Sequence, residues 1–261
     1  MIIDSHSHVF LPVEKHLEIM GNDGIDKTVL FPTIIHPEKT SDYSEYKEEL
    51  RLLNKILRGE INPTDLRIRA ISELRQITND YPDKFVGFGS CPTGLDLEQT
   101  GKWINDYVIE NSFKGIGELA FGEGQVNKAE NIFKSISGNV RYPLWFHTFN
   151  PLTLNDIKEL LVLAKKYPDV VVILGHGAGS YWLEIIEEIV NMKNVYFDIS
   201  ASFTIYSVKV SSELIPERVL FSVDMPYNSP AVMKKIVDES VKDQVVKELI
   251  LANNIKRLLG I

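Results

Sequence analysis

Eight short runs of β-branched and aromatic residues, each followed by a segment of helical period, constrain this chain more than any other feature. The runs are Ile2–His8, Thr28–Ile34, Phe85–Cys91, Phe113–Leu119, Pro143–Thr148, Val170–His176, Val195–Ser200 and Val219–Asp224. They are near-continuous Val, Ile, Leu and Phe, the pattern of strands buried on both faces. Their alternation with helical segments predicts an α/β fold with a parallel sheet covered by helices. A chain of 261 residues fits a single (β/α)8 TIM barrel, which routinely takes about 250. An open doubly wound sheet is the alternative, but no Gly-x-Gly-x-x-Gly turn follows the first run. No linker or low-complexity stretch divides residues 1–261, so one barrel domain is expected. One irregularity, at about residues 38–60 after the second strand, carries both charge signs, with Leu50, Leu53 and Ile56 at helical spacing. It reads as a helical insertion lying over the barrel; a lid or an oligomer contact is the sharper alternative.

The net charge of −8 leaves no basic excess to neutralise a phosphate backbone, so nucleic acid is not an expected partner. A small-molecule substrate is expected instead, and a homodimer stays open. Met1-Ile2-Ile3-Asp4 has no charged leader region, and no run approaches the roughly 20 apolar residues of a membrane span. The single cysteine, Cys91, cannot form an internal disulfide, which fits a reducing cytoplasm. These features predict a cytoplasmic protein with no membrane partner.

Barrel chemistry sits at the C-terminal ends of the strands. His6 and His8 end the first strand, Glu118 the fourth, His147 the fifth, His176 the sixth and Asp224 the eighth. Residues two apart on a strand face the same side, so His6 and His8 can both point into the mouth. Four of the chain's six histidines fall at such ends. Neutral imidazoles with carboxylates are the donor set of a first-row divalent metal, zinc first, with manganese, cobalt or iron as alternatives. Such an ion lowers the pKa of its water to roughly 7, and Asp224, on the strand that closes next to the first, is the candidate proton acceptor. Each residue also has a plain reading: a strand histidine is usually a hydrogen-bonded core residue, and a strand-end acid often caps the next helix. The set together argues for metal, because six such groups buried without a ligand would leave costly unsatisfied atoms.

Asp4-Ser5-His6-Ser7-His8, His147, Gly175-His176-Gly177 and Ser222-Val223-Asp224-Met225-Pro226 resemble the amidohydrolase superfamily over nearly the whole chain. The likeness is strongest to the amidohydrolase 2 branch, which holds aminocarboxymuconate-semialdehyde decarboxylase and related metal-dependent hydrolases. The resemblance implies that His6, His8, His147 and Asp224 bind a metal and that His176 polarises substrate or water. Glu118, in Gly115-Ile116-Gly117-Glu118-Leu119, departs from the decarboxylase pattern. It is similar to the strand-4 carboxylate of TatD-type nucleases and phosphotriesterase-like lactonases, which bridges two metals. That likeness implies one ion on His6, His8, Glu118 and Asp224 and a second on Glu118, His147 and His176. The alternative is one ion, with Glu118 as hydrogen-bond partner to a ligand histidine.

Among weaker candidates, His36, Asn150 and Trp182 follow strand ends and could touch substrate, as could Phe10, Phe149, Tyr181 and Tyr206. Asp198 is placed to brace the site. His16 reads as a surface residue of the first helix, and Cys91 as a buried, inert thiol. The function expected is metal-dependent hydrolysis of a small ester, lactone, amide or related compound, neutral or monoanionic. Non-oxidative decarboxylation of a small carboxylic acid comes second and a nuclease a distant third. The strand-end loops show no Lys/Arg cluster. A barrel that keeps metal only for structure is the non-enzymatic rival.

Overall fold

Every strand predicted from sequence forms, and each is shorter than its hydrophobic run. The computed structural model describes residues 1–138, 142–202 and 204–261. The strands are β1 (Ile3–His8), β2 (Lys27–Phe31), β3 (Phe85–Gly87), β4 (Ile116–Leu119), β5 (Leu144–His147), β6 (Val172–Gly175), β7 (Val195–Asp198) and β8 (Val219–Leu220). The helices are α1 (Val13–Asp23), α2 (Tyr43–Leu57), α3 (Thr64–Asp80), α4 (Leu97–Ile104), α5 (Glu130–Ile136), α6 (Leu154–Lys166), α7 (Trp182–Ile189), α8 (Ile205–Leu214), α9 (Pro230–Ser240), α10 (Gln244–Glu248) and α11 (Asn254–Leu259). α10 and α11 are joined by a π-helical turn, Leu249–Asn253.

The strands pair in parallel as β1-β2-β3 and β4-β5-β6-β7-β8. Two seams join these sets into a barrel. Between β3 and β4, the Gly89 amide donates to the Gly115 carbonyl and the Gly117 amide to the Gly89 carbonyl, each at 2.9 Å. Between β8 and β1, the Ser5 amide donates to the Phe221 carbonyl and the His8 amide to the Met225 carbonyl, also at 2.9 Å. Side chains complete this second seam. Asp4 Oδ1 accepts from the Val223 amide at 2.9 Å and Ser7 Oγ from the Met225 amide at 3.0 Å. Burial pushes the Asp4 carboxyl up to about 7, against its hydrogen bonds from Ser7, His6 and Val223. The interior is filled by Ile3, Val29, Phe31, Phe88, Trp145, Ile173 and Leu220, with Ala252 and Ile255 from the C-terminal segment packed on them. The second apolar layer lies between the strands and the surrounding helices.

His16 is a correction. It is 1% exposed, not a surface residue; its ring lies 5.2 Å from that of Phe85 and 5.9 Å from that of Phe10. Burial pushes its pKa down to about 4, so it packs as a neutral core side chain. No helix among the described residues is long and apolar enough to cross a membrane.

The segment around 38–60 folds as a 3-10 turn, Pro37–Lys39, followed by α2. Asp42 caps α2 by accepting from the amides of Ser44 and Glu45. No α2 residue is fully buried. Its Leu53 and Leu57 nevertheless line the space above the strand ends. A polar hub ties it down. Glu38 Oε1 takes a hydrogen bond from His36 Nδ1 at 2.9 Å and one from the Leu11 amide at 3.0 Å. Glu49 of α2 accepts from the His36 amide at 2.8 Å, and Glu73 of α3 lies 3.6 Å from His36 Nε2. Burial opposes protonation of His36, but Glu38 and Glu73 outweigh it and pull its pKa up to about 9. A group raised in the folded state stabilises the fold below its unfolded pKa and loses that contribution as pH rises. Wild-type stability should therefore carry a His36 component that fades between about pH 6.5 and about pH 9. Urea unfolding of wild type and His36→Gln across that range checks this: the gap between the two should narrow with rising pH, and a constant gap would contradict the hub.

Candidate metal centre

Local backbone irregularities aim the polar side chains. In β1, Asp4 pairs with Thr28 and Ser7 with Leu30, three steps against two on β2. This β-bulge changes the alternation. Ile3 faces the interior, so unbroken alternation would turn Ser5 and Ser7 inward; the bulge turns His6 and His8 inward instead. β4 repeats the device, with Ile116 paired to Leu144 and Leu119 to Phe146, and Glu118 lies in the irregular stretch. Gly117 permits the approach there: a Cβ would come within 2.6 Å of Trp145 Cβ and 2.9 Å of its carbonyl oxygen. On β6, Ile173 is interior and Leu174 faces the helices. Simple alternation would give His176 the Leu174 side, but left-handed backbone at His176 (φ 60°) swings it back. Asp224 is left-handed too, at φ 68°. Such backbone costs a non-glycine residue on the order of 1–3 kcal/mol and is concentrated at functional sites.

Glu118 stands at the centre. Its Oε1 lies 3.1 Å from both His147 Nδ1 and His176 Nε2. Its Oε2 lies 3.7 Å from His6 Nε2 and 3.7 Å from His8 Nε2. Asp224 Oδ1 is 3.3 Å from His8 Nε2 and 3.9 Å from His6 Nε2. Two donor sets result, His6 with His8 and Asp224, and Glu118 with His147 and His176, each with its donor atoms within 4.8 Å of one another. Burial disfavours charge on both His6 and Glu118. Their neighbours outweigh it: Glu118 and Asp198 hold the His6 pKa well above its ordinary value, and His147 and His6 hold Glu118 well below its own.

Outer hydrogen bonds set which nitrogen three of the four imidazoles offer. His6 Nδ1 donates to Asp198 Oδ2 at 2.7 Å, leaving Nε2 to the centre. Asp198 is itself held by Trp145 Nε1 at 3.1 Å and by the Ser200 amide at 2.6 Å. His147 Nε2 donates to the Asn150 carbonyl at 3.0 Å, which turns Nδ1 inward. His176 Nδ1 meets Ser200 Oγ at 3.0 Å, which turns Nε2 inward. The residues fit a divalent cation on this ground and on a second. His6 Nε2 and Asp224 Oδ1 are buried without a hydrogen-bond partner, and both face the same small space. A cation bound there would satisfy both atoms.

The structure thus brings together His6, His8, Glu118, His147, His176 and Asp224. Of the weaker candidates, Asn150 lines the same space, with Phe149 and Tyr227. His36 and Trp182 do not: His36 serves the hub described above, and Trp182 begins α7 and packs against the outer apolar layer. Cys91 is 2% exposed, and burial pushes its thiol up to about 12. Sequence reasoning missed Trp145, whose indole N–H reaches Asp198, and Asp4, whose carboxylate holds the β1–β8 seam. Both sit within runs that read as ordinary strand.

A closed parallel barrel whose strand ends aim four imidazoles and two carboxylates at one point is the framework of a metal-dependent barrel enzyme. The chain belongs to the amidohydrolase family, whose model matches residues 3–261. No curated protein matches it in sequence. Among solved structures, the chain is similar to 5-carboxyvanillate decarboxylase from Sphingomonas paucimobilis, at 14% identity and a TM-score of 0.70, covering 100% of this chain and 99% of that one. It is similar to 4-oxalomesaconate hydratase from Rhodopseudomonas palustris at 16% identity and a TM-score of 0.70, covering 100% and 96%. It is also similar to a dihydroxybenzoic acid decarboxylase from a Polaromonas species, solved with bound manganese and the inhibitor 2-nitroresorcinol. Identity there is 16% and the TM-score 0.63, covering 99% and 96%. Likeness at these identities speaks for the shared barrel fold.

Asp198 touches no proposed metal position and acts through His6. Asp198→Asn should weaken divalent-metal affinity about 10–100-fold and also lower the unfolding midpoint of the metal-free protein, since it removes the buried charge that His6 faces. Competition against a chromophoric chelator measures the first and thermal unfolding the second. Unchanged affinity would remove Asp198 as a positioning residue.

Proposed function

We propose that this amidohydrolase hydrolyses a small ester, lactone or amide, with zinc at the strand ends. The observation that carries the reading is Glu118 standing between two imidazole sets, each close enough to hold an ion. The residues that would hold metal are His6, His8 and Asp224 on one side and His147 and His176 on the other, with Glu118 shared. When bound, the ion supplies Lewis acidity, polarising the scissile group and making water a stronger acid. Asp224 then serves as general base: its carboxylate lies beside His6 and His8, where an attacking water would lose its proton. With a single ion, held by the His6, His8 and Asp224 set, His176 is instead the residue, fixed between Ser200 and Glu118, that orients the carbonyl under attack. Leu53, Leu57, Phe149 and Tyr227 wall the space with largely apolar surface and exclude bulk water.

Non-oxidative decarboxylation is the second reading, supported by the decarboxylases among the structural neighbours. In that chemistry His176 would hold the proton delivered to the carbon that loses its carboxylate. The acidic balance of the chain speaks against a nuclease, and the lone buried Cys91 supports a cytoplasmic setting.

Zinc-loaded protein assayed on esters, lactones, amides and carboxylic acids should hydrolyse members of the first three groups. Release of carbon dioxide with no hydrolysis would reverse the order of the two readings. Asp224→Asn should lower turnover by at least about 100-fold while the histidines retain some metal; near-normal turnover of the metal-loaded variant would reject Asp224 as the base. Glu118→Gln should reduce saturating metal stoichiometry from two towards one, read by elemental analysis. A wild type that saturates at one ion per chain would make Glu118 a hydrogen-bonding partner only.

A further inference from the structure

The cavity beside the donor cluster holds a cation that no carboxylate among the described residues pairs with. This cavity, of about 240 Å³, is lined by His8 and Glu118 and also by Arg67, Ser90 and Cys91. Arg67 comes from the first turns of α3, where the sequence gives no sign of a role beyond a helix surface. Its guanidinium donates to two neutral oxygens, Ser90 Oγ and Asn62 Oδ1, the second at 3.1 Å. Nε is buried and has no hydrogen-bond partner among the described residues. No Asp or Glu pairs with Arg67 among the described residues. The ionisable neighbour that bears on it is Cys91, whose thiol burial keeps protonated at neutral pH.

That arrangement is costly for the protein alone. A charge drawn out of water needs an opposite charge or a full set of hydrogen bonds. Burial indeed pushes the Arg67 pKa below its ordinary value. A guanidinium offers five N–H donors, of which the structure commits two. Each terminal nitrogen keeps one further donor, a match for the two oxygens of a carboxylate. Ser90 Oγ accepts from Arg67 and keeps its own hydrogen for a ligand. Lys128 also lines this cavity, with its Nζ donating to the neutral Gln125 Oε1 at 2.8 Å. The cavity therefore runs from a centre suited to a metal to a wall suited to an anion.

We propose that Arg67 and Ser90 bind a carboxylate carried by the substrate, distinct from the group that reacts beside Glu118 and Asp224. This assignment rests on the hydrolytic reading and narrows its substrates to small compounds with one anionic end, such as the monoester of a dicarboxylic acid. The carboxylate at Arg67 fixes the molecule in the cavity so that its ester or amide lies at the donor cluster.

The test separates anchoring from chemistry. Acetate, benzoate and succinate are titrated calorimetrically into chelator-treated and zinc-loaded protein, as wild type, Arg67→Gln and Arg67→Lys. At least one of the three should bind wild type in both forms. Its Kd should rise about 10–100-fold in Arg67→Gln and about 10-fold in Arg67→Lys, whose ammonium keeps charge but lacks the fork. Thermal unfolding shows which variants are folded; if the glutamine variant is not, the lysine variant carries the comparison. Binding that is indifferent to Arg67, or that occurs only with zinc, overturns the site, as does failure of all three anions to bind. Turnover of monomethyl and dimethyl succinate is then compared. Arg67→Gln should raise KM for the monoester with little change in kcat and leave the diester unaffected. Hydrolysis of the monoester at unchanged KM refutes the Arg67 site and leaves the hydrolytic reading standing. Carboxylate binding that depends on Arg67, with neither ester nor any amide or lactone turned over, keeps the site and refutes hydrolysis.

Discussion

The imidazole of His6 sets the terms on which this barrel is built. It is 0% exposed and packed among Phe31 and Trp145. One nitrogen is taken by Asp198, and the other has no hydrogen-bond partner among the described residues. A buried polar atom left alone costs on the order of 1–3 kcal/mol, so the interior around it is shaped by the need to hold that ring and to aim its free nitrogen. Asp198 is anchored by the Trp145 indole, and the same indole fills the barrel core beside Phe31 and Phe88. Packing and chemistry thus share one side chain. The fully buried Trp145 both supports the apolar interior and holds the carboxylate that fixes the His6 tautomer.

The centre is also where the two halves of the barrel meet. β1 and the segment after β8 supply His6, His8 and Asp224 across one seam, while β4, β5 and the residue after β6 supply Glu118, His147 and His176 on the other side. At the first seam, Asp4 and Ser7 replace part of the backbone ladder with side-chain acceptors. Glu118 spans the gap, with one oxygen toward each donor set. Its geometry therefore depends on β4 sitting in register with both β5 and the residues following β3.

The fold was legible because eight apolar runs at regular spacing leave few alternatives to a parallel barrel, and because strand ends in such a barrel converge. The donor residues were legible for the same reason: histidines and acids at the ends of buried strands have few uses. What alternation could not reveal is how they turn inward. From Ile3, a plain period of two would place His6 on the wrong face, and only the bulge after Asp4 corrects it. His176 likewise depends on a left-handed backbone that no residue type announces. His16 misled because an exposed-looking helix pattern carries no sign of the aromatic pair that covers it. Arg67 escaped notice because charge on a helix is usually solvated, and its setting depends on loops packed over it from elsewhere in the chain.

The covering helix α2 has a different standing from the strands beneath it. It contributes no fully buried residue; Glu49 ties it to His36 by a hydrogen bond, and its apolar side is only half-buried. Elements with so little buried surface contribute least to global stability and tolerate sequence change most readily. Leu53, Asn54 and Leu57 nonetheless form part of the wall that a substrate meets. The molecule is therefore divided into a conservative part and a permissive part. The barrel fixes where the reaction occurs, and a single loosely bound helix can be rewritten to admit a different molecule without disturbing the scaffold that carries the chemistry.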